Sequence, residues 1–281
     1  MPVILPKGAG DKKQRKRKLT PIRPSRSVRK RYTDLLVREV DLLKAQTANL
    51  SDMIRSDASR SAVAQRLEQM SMQNIERMRV QAPRIAQSFV DDADRTQKKQ
   101  MENNISRALG VDSAKILDAP KTAADVALAI DWNTSLIKSI PAQHLDRVGQ
   151  AVLNNYRGVE DPEGLSLTAR LMRIGGVTEN RARFIARDQT AKLTSALNRS
   201  RQEGVGIDEY TWQNSGDARV VGNPSGKYPD PTDGHGDHWA REGKTFRWDN
   251  PPKDGAPGES FNCRCVALPV LDLDKIDAMF P

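Results

Sequence analysis

The sequence predicts a mainly α fold with a small C-terminal α+β domain and a disordered basic N-terminal arm. Three observations point there. Apolar residues recur every three or four positions between about residues 28 and 206, alternation and turn residues replace that period after 207, and the first 27 residues hold four prolines among lysines and arginines. With 37% hydrophobic but only 5% aromatic residues in a 281-residue chain, a core can form but contains few large rings.

The arm, residues 1–27, concentrates the charge. The whole chain sums to +9, yet residues 1–31 contain twelve Lys or Arg against Asp11 alone, a sum of +11, which leaves −2 for the remaining 250. Attraction to phosphate therefore belongs to this segment, with Lys12, Lys13, Arg15, Lys16, Arg17, Lys18, Arg23 and Arg26 as its candidate DNA-binding residues. No run approaches the roughly eighteen apolar residues of a membrane span. The apolar run in MPVILPKGAG is also too short for a signal-peptide core. The two cysteines stand at i and i+2, where a disulfide would close a strained ring, so the reading is a soluble, non-secreted chain in a reducing compartment.

Residues 28–110 read as long helices suited to docking on a larger assembly. VRKRYTDLLVREVDLLKAQTANLSDMIR places Tyr32, Leu35, Leu36, Val40, Leu42, Leu43 and Leu50 at mostly three- and four-residue intervals with charges between them, an amphipathic helix. A second helix is predicted over about 57–109, with Pro83 as a break or kink and Gly110 as its stop. Its stripe of Leu67, Met70, Met72, Ile75 and Met78 reads as intramolecular core.

Residues 111–206 read as shorter helices separated by DAPKTA, SIPAQ, GVEDPEG and GGVT. The clearest of them takes Thr178 as N-cap, ends at Gly204 and Gly206, and turns Ala182, Ile185, Ala186, Leu193 and Leu197 inward. Arg181, Arg183, Arg187, Lys192, Arg199 and Arg201 line the rest, which reads as a solvated charged face because Glu179, Asp188 and Glu203 dilute it.

Residues 207–275 form the β-rich end. Tyr210, Trp212, Val220 and Val221 are strand-like around an NSGD turn, and NCRCVALPVL alternates as a final strand. His235, His238, Cys263 and Cys265 supply the ligand types and number of a tetrahedral Zn²⁺ site, so zinc is the one possible cofactor, although C-x-C replaces the usual C-x₂₋₄-C. Three readings of the thiols stay open: small packed hydrophobes, ligands to a divalent metal, or a catalytic thiol beside a histidine. Asp217, Asp230, Asp233, Asp237, Glu242 and Asp249 add metal-assisted phosphodiester hydrolysis as an alternative, although lone carboxylates in Gly- and Pro-rich loops commonly form turns. No phosphate-binding loop is present, and no catalytic residue is assigned.

Several pieces in order resemble the Mu F-like family of phage minor head (head morphogenesis) proteins over roughly residues 105–270. They are an I-A-R helical segment at Arg183 to Arg187, the aromatic pair Tyr210 and Trp212, Asp217 with Arg219, and His238 followed by Glu242 and Gly243. Pro251, Pro252 and Pro257 then lead to Asn262, Cys263, Arg264 and Cys265. Asp188-Gln189 departs from the family's acidic position, and residues 221–237 look like an insertion that contains His235, which leaves His238, Cys263 and Cys265 as the tighter cluster. The resemblance implies a low-copy virion protein, present in host cytoplasm during assembly and then inside the head near the portal vertex. Its implied partners are the portal protein, scaffold or capsid protein and genomic double-stranded DNA, with no membrane segment. The alternative is a metal-dependent nuclease or related hydrolase using the His/Cys/Asp cluster. Asp217 is expected to pair with Arg219 and to hold its loop through charge-assisted hydrogen bonds, with Arg264 as a further partner.

Overall fold

The computed structural model describes residues 16–109, 120–232 and 236–274. Four long helices precede most of a small sheet: α1 (Arg26–Arg55), α2 (Arg60–Leu109), α3 (Pro120–Tyr156) and α4 (Leu167–Gly204). The strands are β1 (Lys16–Lys18), β2 (Glu209–Gln213), β3 (Thr245–Arg247) and β4 (Val266–Asp272), antiparallel in the order β1-β4-β2-β3. The mainly α class with a small C-terminal sheet stands. The chain partitions into two compact units, Ser25–Ala93 with Ala127–Thr190, and Met1–Pro24 with Asp94–Val126 and Ala191–Pro281. The division at 27 nearly coincides with the boundary between Pro24 and Ser25, whereas those at 110 and 206 fall inside one unit, because α2, α3 and α4 each supply residues to both.

In the helical unit, α1 begins at Ser25, whose Oγ accepts the Val28 N–H, and buries Leu36, Val40, Leu43 and Leu50 at helical spacing. Leu50 joins Val63, Met70, Val148, Val152 and Leu171 in one core. Three expected breaks are absent. α2 runs through Pro83 because the adjoining turns bury Ala82, Ile85, Ala86, Phe89 and Val90, packing that offsets the roughly 3 kcal/mol an interior proline costs. α3 runs through Pro141 and the SIPAQ segment, and α4 through GGVT, so two long helices replace the shorter ones expected. GVEDPEG does separate them, whereas Gly110, Asp118 and Ala119 lie outside the described residues and the rest of DAPKTA, Pro120–Ala123, opens α3. Along α2, Met70 and Met78 are buried, but Met72 and Ile75 face solvent, so the stripe is core on one side only.

The β-containing unit overturns other expectations. The arm is structured from Lys16 onward: Lys16–Lys18 pairs with Asp272–Val270 of β4, Lys16 Nζ reaches Glu209 Oε2 at 2.7 Å, and Arg23 Nη2 donates to Gln213 Oε1 at 2.9 Å. Leu19 and Ile22 are buried against Met101, Ile105, Ile207 and Leu271, and this anchors the segment. Arg26 opens α1, while Lys12, Lys13 and Arg15 lie outside the described residues. NSGD is no hairpin turn; Asn214 Oδ1 accepts the Gly216 N–H, and β2 pairs instead with β3, which begins at Thr245, leaving Val220 and Val221 outside any strand. β4 begins only at Val266, so both cysteines precede it. The charged face expected on α4 is not uniformly solvated. Arg201 is 1% exposed, with Nη2 2.6 Å from Asp94 Oδ1 and Nη1 on Gln97, and Arg199 donates to the Trp248 carbonyl.

Thr178 is not an N-cap either. It sits inside α4, where its hydroxyl bonds the Ile174 carbonyl and lies 2.9 Å from His144 Nδ1. Thr47 Oγ1 meets the other ring nitrogen at 2.8 Å. Burial, reinforced by Arg147 and Lys44, lowers the His144 pKa from 6.5 to about 4. The unfolded chain therefore takes up this proton at a higher pH than the folded one, and stability falls as pH drops between those values. Acidification from about pH 7.5 to about pH 5 is expected to lower the urea-unfolding free energy by on the order of 2 kcal/mol through this ring, read by helix circular dichroism. His144→Gln is expected to remove that part of the pH dependence.

Candidate functional site

The site grows from β2 and α4 of the β-containing unit. Alternation along β2 sends Tyr210 and Trp212 inward, both fully buried, against Trp248, Ala256, Cys263, Cys265 and Ala267. Tyr210 and Trp248 pack with ring centroids 4.2 Å apart, and the Trp248 indole donates to Gln202 Oε1 of α4 at 3.1 Å. Farther back on α4, Ser195 donates to the Pro257 carbonyl at 2.5 Å and Asn198 to the Ala267 carbonyl at 3.3 Å. α4 thus fixes both ends of the segment that contains the cysteines.

That segment needs a glycine. Gly258 has φ +93°, and a Cβ there would lie 2.9 Å from Ser195 Cβ, so both the backbone and the space exclude a side chain. Its N–H donates to Cys263 Sγ at 3.4 Å. Asn262 adopts φ +57°, a conformation asparagine tolerates, and the Cys263 N–H returns to the Ser260 carbonyl at 3.0 Å. Cys263 and Cys265 then both turn their sulfurs to His238, while the Arg264 side chain reaches Asp217.

His238 faces the sulfurs. It is 3% exposed, stands edge-on to Trp212 with ring centroids 5.0 Å apart, and places Nδ1 3.6 Å from Cys263 Sγ and 3.5 Å from Cys265 Sγ. Its Nε2 is 2.9 Å from Asp254 Oδ2, which also accepts the Gly236 N–H at 2.9 Å, while Asp254 Oδ1 forms a 2.6 Å ion pair with Arg241. The Arg241 guanidinium lies over Trp212, 4.9 Å from its centroid.

Burial would raise the Asp254 pKa, but Arg241, His238 and the Gly236 N–H outweigh it and hold the carboxyl well below the usual range. An ionised carboxylate only accepts, so His238 Nε2 carries a proton and donates it. Burial alone would lower the His238 pKa; hydrogen bonding to Cys263 and Asp254 outweighs it and raises the value. The hydrogen bond from Cys265, assisted by His238, pulls Cys263 down against burial, and the same bond together with burial pushes Cys265 up. The pair therefore favours a Cys263 thiolate that accepts the Cys265 S–H.

On the outer side, Arg264 grips Asp217 with both guanidinium nitrogens, Nη2 to Oδ1 at 2.6 Å and Nη1 to Oδ2. The Arg219 N–H also donates to Asp217 Oδ1 at 2.8 Å, and these bonds lower the Asp217 pKa. A cavity of about 260 Å³ opens beside the cluster, lined by Arg219, Tyr228, His238, Asn262, Cys263 and Cys265. Gly243, at φ +75°, turns the chain so that its N–H meets the Trp212 carbonyl at 2.9 Å.

Tyr210, Trp212, Asp217, Arg219, His238, Gly243, Asn262, Cys263, Arg264 and Cys265 all lie in this one unit. His235 and Asp233 lie outside the described residues. The carboxylates proposed for hydrolysis do not converge: Glu242 accepts the Asn214 N–H, Asp237 the Ala240 N–H, and Asp249 pairs with Arg247. Asp254 and Arg241 escaped the sequence reading. Asp254 lies in a DGAPG loop that reads as a turn, and only the three-residue spacing of Arg241 from His238 hinted at a shared turn.

The chain is 38% identical over 194 residues to an uncharacterized protein of Haemophilus influenzae, a match that covers 68% of this chain and 40% of that protein. The chain therefore spans less than half the length of this relative. No family model and no solved structure matches the chain.

The two acid–base pairs should differ in weight. Asp254 is 4% exposed and its loss strands Arg241 and His238, so Asp254→Ala is expected to destabilise the unit by about 3–5 kcal/mol. Asp217 is 41% exposed, and Asp217→Ala is expected to cost about 1 kcal/mol or less. Urea unfolding followed by tryptophan fluorescence measures both.

Proposed function

We propose that the chain is a minor head protein of a tailed phage, packaged in the procapsid near the portal and acting in head morphogenesis. The observation behind this reading is that the Mu F-like elements, spread from Tyr210 to Cys265, form one interlocked cluster rather than scattered coincidences. Residues recruited for an incidental local role would not need to meet. Exposed Met72, Ile75, Leu128 and Trp132 on α2 and α3 give the helical unit apolar surface of the kind that portal, scaffold or capsid subunits cover. No described helix is long and apolar enough to cross a membrane.

Mass spectrometry of procapsids, filled heads and emptied particles from the phage or prophage that encodes the chain tests the reading. The chain is expected in procapsids and filled heads at far fewer copies than the coat protein. Its absence from both would overturn the proposal.

Non-specific DNA contact is assigned to the basic segment. Lys16 and Arg23 are engaged in the fold, and residues 1–15 contribute Lys7, Lys12, Lys13 and Arg15 to the segment's charge. Removing residues 1–15 while keeping β1 is expected to weaken binding to random-sequence duplex and to reduce the slope of log K against log salt by about 3–4. Equal affinity and slope at matched salt would remove the segment from DNA binding.

A further inference from the structure

We propose that His238, Cys263 and Cys265 bind one Zn²⁺ ion through Nδ1 and two thiolates, with a fourth position open to the cavity beside Arg219 and Tyr228. The inference is independent of the head-assembly reading. These three are the metal-ligating cluster among the described residues, all buried, with donor atoms within 4.8 Å of one another.

The spacing agrees with an ion between them. Tetrahedral bonds of about 2.3 Å to sulfur and 2.0–2.1 Å to nitrogen separate the two donors by roughly 3.5–3.6 Å. The observed separations are 3.6 and 3.5 Å. With Nε2 donating to Asp254, Nδ1 has a lone pair to offer a cation, and two sulfurs stand equally near it at the separations that shared ligation requires. One cation at their common point satisfies all three atoms.

The surroundings are those of a metal site. Asp254 on the remote ring nitrogen fixes the tautomer that exposes Nδ1, the role of the outer carboxylate in carboxylate–histidine–zinc arrangements. The Gly258 N–H supports the Cys263 sulfur. The buried Trp212 ring packs edge-on to His238 and in one core with both cysteines. Two thiolates and one imidazole suit a borderline-soft ion rather than Mg²⁺ or Ca²⁺. With two thiolates Zn²⁺ is neutral overall, so its burial leaves no uncompensated charge. Three protein donors leave one tetrahedral position, and all three of them line the cavity.

Full-length protein, reduced, loaded with excess Zn²⁺ and desalted, is expected to retain one zinc per chain, and Co²⁺ in its place to give intense tetrahedral d–d bands with thiolate charge transfer. Cys263→Ser and Cys265→Ser are expected to lose the metal, and Asp254→Asn, which keeps all three ligands, to bind about 10-fold more weakly or worse. Azide is expected to shift the cobalt bands by entering the open position. Zinc retention no greater than that of a Cys263→Ser, Cys265→Ser double variant would overturn the proposal. If the serine variants fail to fold, the wild-type cobalt spectrum decides: absence of thiolate charge transfer refutes the site. Bands unmoved by azide refute the open position.

Discussion

The β-containing unit depends on one buried carboxylate. Its strands are three to seven residues long, and its aromatic core is small, so packing alone specifies the long loops between β2, β3 and β4 weakly. Asp254 supplies the missing definition. One of its oxygens holds Gly236 and His238 and the other holds Arg241, which joins the segment after β2 to the segment before the cysteines. Burying such a charge costs several kcal/mol, and only a partnered cation, a donating imidazole and a backbone N–H together offset that. The same carboxylate sets the His238 tautomer, and through Arg241 it covers the face of Trp212. Remove it, and the histidine, the arginine and the indole lose a common reference.

α4 is the rigid element against which this network is built. Ser195, Asn198, Arg199 and Gln202 recur at helical spacing and bond Pro257, Ala267, Trp248 carbonyl and Trp248 indole in turn. A helix satisfies its own backbone, so its side chains are free to hold loops that have no ladder of their own. The basic residues of this stretch therefore act within the protein: Arg199 and Arg201 contribute to anchoring rather than to a solvated cationic face. Arg201 is the sharper case, since a guanidinium 1% exposed must be paired, and Asp94 and Gln97 pair it.

What the sequence made legible follows from which interactions are periodic. The apolar faces of α1 and α4 repeat, so their buried residues could be named in advance, and β2 could be recognised from Tyr210 and Trp212. The His238–Cys263–Cys265 grouping followed from ordered motif pieces, with His238 rather than His235 left beside the thiols, whereas those pieces matched Asp217 first with Arg219, which gives it a backbone N–H while Arg264 supplies the ion pair. Proline and glycine punctuation misled the reading, because the cost of Pro83, Pro141 or the Gly175-Gly176 pair is local while the burial that offsets it comes from distant chain. Asp254 was invisible for a related reason: a single carboxylate in a turn looks the same whether it caps a loop or anchors a core. The order at Lys16–Lys18 was equally hidden, since pairing with β4 involves residues more than two hundred positions away.

The C-x-C spacing follows from this architecture. Two residues between cysteines let a knuckle curl both sulfurs around an ion, whereas one residue keeps the chain extended and points both sulfurs to the same side. An extended pair can meet a third donor only if that donor is delivered from across the site. Here His238 is delivered, held from behind by Asp254, and the single intervening residue is used as well, because alternation turns Arg264 outward to Asp217. The three consecutive residues thereby tie the inner cluster to the outer loop. A two-residue spacer would curl the sulfurs together but break the alternation that puts Arg264 opposite them, so the short spacing is what lets one strand-like segment serve both faces.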